Sequence, residues 1–210
     1  MRSVLKVSLA LVVLIVAVTL TSRYWTAQIA QSLTCAEDVT AVDAMLIENF
    51  DPNYLLFERA ETLEKAGIGS VALVPVEISS EPNVANPVSQ GIAEVMARQA
   101  RLRRWRTIPV EFSEPIALNA ALQIRSRLAS ERIKSIIVVA PGFRSRRSSL
   151  VYQAVFGEAG IAVHCVPVFR RIGPERWTET WHGIQEVLEE FVKLQYYRFY
   201  VLPLRTRHAW

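Results

Sequence analysis

The chain has 210 residues, 51% of them hydrophobic and 21% charged, with 8 Gly and 10 Pro. That length suits one apolar anchor plus one domain, and that composition excludes a long disordered tail. With 24 Lys and Arg against 20 acidic residues the net charge is +4, compatible with anionic lipid or a phosphate-bearing ligand nearby but too small and dispersed to argue for nucleic acid.

Residues 4–20 read VLKVSLALVVLIVAVTL, interrupted only by Lys6 and Ser8. A bilayer core takes about 20 residues of helix, so one transmembrane helix is expected, with residues 1–25 as the anchor. Arg2 and Lys6 ahead of the apolar run favour a cytoplasmic N-terminus, and Tyr24 and Trp25 suit the opposite lipid–water boundary. A cleaved signal peptide is the competing reading. Its apolar region is normally about 7–15 residues followed by small residues, whereas Arg23, Tyr24 and Trp25 stand where a cleavage site belongs and 27–30 offers only a late one.

A linker is expected over 26–40, then an α/β domain over 41–198 and an aromatic-basic tail over 199–210. Short Val- and Ile-rich runs at 42–47, 71–76, 107–110, 136–140 and 161–166 read as buried strands bounded by turn residues. Stretches 54–66, 88–104, 116–130 and 148–159 have helical spacing, and Gly67 and Gly160 fit helix C-termini. This alternation predicts a mainly parallel five-stranded sheet with helices on both faces.

Ligands of such sheets bind at the carboxyl ends of the strands, near the switch in strand order. The loops there carry Glu48, Asn49 and Asp51; Glu77, Ser79 and Ser80; Glu111, Ser113 and Glu114; Arg144, Ser145, Arg146 and Arg147; and Arg170 with Arg171. Glu48 and Asp51 form a possible carboxylate pair, but the three histidines are scattered and no metal site is expected. No GxSxG, GxGxxG or Walker A pattern occurs, so no cofactor is expected. Cys35 and Cys165 either pair or remain two buried thiols.

At these loops the sequence resembles the YdcF-like family, which includes the SanA and ElyC envelope proteins. Asp43-Ala-Met-Leu-Ile resembles the family's opening strand, Glu58-Arg59-Ala60 with Leu63 its first helix, and Glu94-Val-Met-Ala-Arg its second. The segment from Glu114 to Asn119-Ala120 resembles S-x-N-T-x-E-N-A, Ile136 to Arg147 the fourth strand and loop, and Trp181-His-Gly through Glu189, Lys193 and Tyr196-Tyr197 the C-terminal helix. The resemblance covers roughly 43–198. It implies a Rossmann-like three-layer sandwich, an inner-membrane anchor with a periplasmic domain, and a part in building the cell envelope.

Departures from the family pattern bear on function. Glu48-Asn49-Phe50 and Val76-Glu77-Ile78 replace two glycine turns, and the F-H-M-x-R loop becomes Phe143-Arg144-Ser145-Arg146-Arg147, without its histidine. The anion-binding candidates are Arg144, Ser145 and Arg147, between a strand end and a helix start where N–H groups favour anions, with Glu114, Asn119, Glu48 and Arg59 beside them. Glu114 also suits a helix cap before Pro115, and the arginines also suit a solvated basic loop. The run Arg98, Arg101, Arg103, Arg104 and Arg106 suits a solvated helix end, an anionic lipid or an acidic partner. The tail's Tyr200, Arg205, Arg207 and Trp210 suit a membrane interface or subunit contact. Two functions are expected: a binding or accessory subunit of an inner-membrane complex with a degenerate pocket, touching lipid and other membrane-protein subunits, or an envelope-biogenesis enzyme for a phosphate-bearing or lipid-linked ligand.

Overall fold

The structure, a computed structural model, describes residues 2–81 and 83–207. Its sheet has β1 (Ala44–Ile47), β2 (Ala72–Glu77), β3 (Trp105–Val110), β4 (Ser135–Pro141) and β5 (Ala162–Val168). All pairings are parallel and the order is β3-β2-β1-β4-β5, so the chain switches direction between β1 and β4. Each strand lies within three residues of its expected run. Central strands reached by both layers must be apolar on both sides, and β1 is buried at every position.

Helices α2 (Tyr54–Lys65) and α3 (Pro87–Ala100) cover one face. Their apolar side meets Met45, Ile47, Val74, Ile137 and Val139. The alternate residues Ala44, Leu46, Ile136, Val138 and Ala140 face α4 (Ile116–Leu128) and α5 (Ser145–Phe156). This is a Rossmann-like α/β sandwich. Asn53 and Asn86 accept from backbone N–H groups and start α2 and α3.

Three helical expectations need correction. Helix α3 stops at Ala100, not Arg104, because Arg101 turns left-handed (φ 60°) and the Glu64 carboxylate takes the N–H groups of Arg103 and Arg104, each at 2.9 Å. Helix α5 begins at Ser145 rather than Ser148, preceded by a tight turn over Gly142–Arg144. A Cβ on Gly142 would fall 2.3 Å from the Phe169 ring, so this turn requires glycine. The expected linker is helical as far as Ser32, since α1 runs Arg2–Ser32.

Helix α1 bends by 53° between the arms Ala10–Thr19 and Tyr24–Ser32. Around the bend Thr19, Thr21, Ser22 and Thr26 hydroxyls donate to carbonyls three or four residues back, a pattern that bends helices. No single helix among the described residues is long and apolar enough to cross a membrane; the two bent arms reach that length and composition only when counted together.

The end of α1 is fastened to the domain. Cys35 and Cys165 form a disulfide spanning 130 residues, which decides between the two readings of these thiols. The Trp177 indole donates to the Thr26 carbonyl at 2.9 Å. Ala30 and Leu33 are fully buried beside Phe143, Trp177, Val187 and Leu194, which joins α1 to α6 (Trp181–Tyr196). The described part of the tail packs in places on the domain. Tyr197 and Val201 are buried in the α4–α5 layer, and Arg205 of α7 (Leu202–Arg207) reaches Glu158 at 2.5 Å. His208 and Trp210 lie outside the described residues.

Candidate functional site

Following the pleat from Ala44 and Leu46, Glu48 leaves the carboxyl end of β1 on the α5 side. It is fully buried, and both its oxygens accept from the Ser148 hydroxyl, at 2.8 and 2.7 Å. Burial pushes its carboxyl above the ordinary range, with Arg144 and Arg147 opposing that shift. Phe50, two residues on, packs edge-on against Phe112 at 5.4 Å. Glu48 is thus taken up by the α5 layer, and Phe50 leans toward the end of β3.

The Gly142–Arg144 turn and first turn of α5 present the predicted arginines. Arg147 is buried and bidentate to Glu190 of α6, with contacts of 2.9–3.2 Å, and its guanidinium lies 5.2 Å over the Tyr197 ring. Arg144 donates to Asp51 at 2.5 Å and stands 3.5 Å from Glu190. Although its burial works the other way, the carboxylates of Glu48, Glu190 and Asp51 push its pKa up. Asp51 in turn is held below its usual value, chiefly by its hydrogen bond from Arg144. Arg147 is therefore satisfied inside the protein, and Arg144 is paired with Asp51, although its buried Nε has no hydrogen-bond partner.

The helix terminus is engaged too. Arg146 N–H donates to the Leu33 carbonyl at 3.0 Å, and the buried Ser145 hydroxyl accepts from Cys35 N–H at 3.0 Å while donating to Gly142 O. The end of α1 sits where the bound anion was expected.

Three predicted residues stand apart from this cluster. Asn119 donates to the carbonyls of Ser113 and Glu114, both at 3.0 Å, and pins that loop. Glu114 accepts from Ile116 N–H at 3.4 Å, the capping role also read for it. Arg59 pairs with Glu37 near the start of the domain. Glu48 and Asp51 do not form a pair: one turns toward Ser148, the other toward Arg144. Among the described residues no group of three or more His, Cys, Asp or Glu gathers as metal ligands would.

At the switch point an open cleft of about 640 Å³ remains, bounded by the ends of β1, β4 and β5 and by α6. Its walls include Asp51, Arg144, Arg170, Arg171, His182 and Glu186. Burial, reinforced by Glu190, pushes the Glu186 carboxyl up. No family model, curated protein or solved structure matches this chain. The cleft's chemistry must therefore be read from its own residues: Arg170 and Arg171 carry its uncommitted positive charge, since Arg144 is already paired.

Sequence reasoning missed Glu190, which organises the cluster, and Tyr152, whose hydroxyl is fully buried without a hydrogen-bond partner. A signal for Glu190 was present. Gly183, Val187, Glu190 and Leu194 are spaced by four, three and four residues, and they are the buried face of α6. A carboxylate in such a stripe demands a buried cation.

Proposed function

We propose that the chain is a membrane-anchored, divergent YdcF-like protein that acts as a binding or accessory subunit in an inner-membrane complex, its domain on the outer face. The observation that carries this reading is the internal neutralisation of Arg144 and Arg147 by Asp51 and Glu190, with the Leu33 carbonyl on the adjoining helix terminus. A site that must capture an anion leaves its guanidinium forks open; here they hold the molecule together.

The anchor is supported by α1, where Leu11, Val12, Val13, Val16 and Val18 are all exposed. Successive residues point around the whole helix, so the surrounding medium must be apolar on every side. The disulfide supports an oxidising compartment for the domain, in keeping with a cytoplasmic N-terminus.

One observation favours the enzymatic alternative: the open cleft carrying Arg170, Arg171 and His182. Calorimetric titration of the full chain in mild detergent with inorganic phosphate and pyrophosphate separates the two. The accessory reading expects no saturable heat at millimolar ligand. Saturable binding abolished by Arg170→Ala with Arg171→Ala replaces it with the enzyme reading. Alkaline carbonate should leave the chain in the membrane pellet, and release into the supernatant refutes the anchor.

A further inference from the structure

Helix α6 is apolar on two opposite sides. Its inner side is the buried stripe of Gly183, Val187 and Leu194 with Glu190. On the outer side Trp181, Leu188 and Val192 are 71%, 57% and 65% exposed and border a shallow, almost wholly apolar groove of about 490 Å³. An ordinary surface helix has one apolar stripe, so the second needs an occupant.

The spacing identifies the kind of occupant. Trp181, Gln185, Leu188, Val192 and Gln195 follow one another at intervals of four, three, four and three residues. That is heptad spacing, with glutamine at two of the five positions and, between them, leucine at one core position and β-branched valine at the next, the combination that suits two parallel strands. The pattern spans about two heptads before the helix widens into a π-turn over Tyr197–Val201.

The seam also fits itself. None of its five residues is charged, and the nearest charges on its flank, Glu189 and Lys193, are paired with each other. An identical helix therefore approaches without like-charge repulsion. In a parallel pair, Gln185 and Gln195 each face their own counterpart. An amide both donates and accepts, so two glutamines satisfy one another where an apolar partner would leave each unpaired.

We propose that two copies of this chain associate through the outer face of α6, packed parallel about a two-fold axis. The seam belongs to the folded domain, so this pairing depends neither on the anchor nor on the state of the strand-end cluster. The Trp177–Thr26 hydrogen bond places the first turn of α6 near the emerging arm of α1. Parallel pairing brings both copies' α1 helices to the same side.

The test uses the full chain in mild detergent, in which Cys35 and Cys165 are already joined. Trp181→Cys and Leu188→Cys should each give a disulfide-linked dimer under mild oxidation, whereas Glu186→Cys on the cleft side and Val95→Cys on the exposed side of α3 should not. Leu188→Asp should shift the chain from dimer to monomer in sedimentation, weakening association at least tenfold. Leu188 is exposed in the single chain, so this change leaves the monomer's fold intact, which an unaltered far-UV circular dichroism spectrum verifies. A wild-type chain that sediments as a monomer overturns the proposal, as does equal cross-linking at all four positions. Cross-linking at Leu188→Cys without Trp181→Cys overturns the parallel arrangement. If the chain is monomeric and Leu188→Asp instead lowers retention on anionic vesicles, the stripe's occupant is lipid and the pairing is refuted.

Discussion

Glu190→Gln is the perturbation that most directly examines the buried cluster. The Glu190 carboxylate is 5% exposed, takes three hydrogen bonds from Arg147 at 2.9–3.2 Å, and lies 3.5 Å from Arg144 Nε. An amide of the same shape fills the space but cannot neutralise either guanidinium. Breaking a buried pair from one side costs about 3–5 kcal/mol, because a desolvated charge is left uncompensated. Two features favour the lower end: Arg144 keeps Asp51, and Arg147 keeps the Tyr197 ring. A loss of about 3 kcal/mol in a domain of this size lowers Tm by roughly 6–12 °C. Thermal circular dichroism in one detergent at neutral pH, with the disulfide intact, measures it. The double change Arg147→Met with Glu190→Leu removes both charges and should recover most of the loss, since apolar replacement of a buried pair is often neutral. If Glu190→Gln melts within 1 °C of wild type, the pair is solvated and the claim that these arginines are structurally committed fails.

Glu48 supplies a pH test. Its folded carboxyl is raised above the reference value of 4.5, so its contribution to stability is full below that value and is lost as pH rises through the folded one. Denaturation midpoints at several pH values should show wild type losing ground to Glu48→Gln as pH rises, and parallel curves would contradict this. Replacing Cys35 and Cys165 by serine together removes a link across 130 residues. Denaturant titration should show a loss of about 2–5 kcal/mol. Asp43 accepts from Lys134 N–H, Ser135 N–H and the Ser135 hydroxyl at 2.7, 3.0 and 3.2 Å, fixing the start of β4. At this exposed site Asp43→Ala should cost about 1 kcal/mol. Because these bonds lower the Asp43 pKa, that contribution should fade as pH falls through the lowered value, measured again by the denaturation midpoint.

The strands were legible because a parallel sheet between two helical layers needs continuous apolar runs, and runs such as Ile136-Ile-Val-Val-Ala admit few other readings. Helix ends were less legible. The spacing of α3 continues into Arg103 and Arg104, and only the distant Glu64 diverts those N–H groups into the approach to β3. The stretch 26–32 contains neither Gly nor Pro, so its sequence is compatible with the helix that continues through it. At the site, the strand-end rule located Arg144 and Arg147 correctly but could not reveal their commitment. The partner of Arg147 is 43 residues away on a helix of another layer. Equally, Glu48 reads in the sequence as one more strand-end carboxylate, while the Ser148 hydroxyl that donates to it lies 100 residues on.

The join between α1 and α5 changes what α1 means for the domain. Leu33 O caps Arg146 N–H, Ser145 Oγ receives Cys35 N–H, and Ala30 and Leu33 pack against Phe143. All three contacts fall on the turn that carries Arg144 and Arg147. Cutting the chain after residue 35 to obtain a soluble fragment would therefore do more than remove an apolar helix: it would uncover Phe143 and free the Arg146 N–H at a helix N-terminus. Such an uncapped terminus attracts anions. Phosphate bound by the fragment alone would report the missing cap rather than a native ligand, which is why the binding and cross-linking experiments require the full chain.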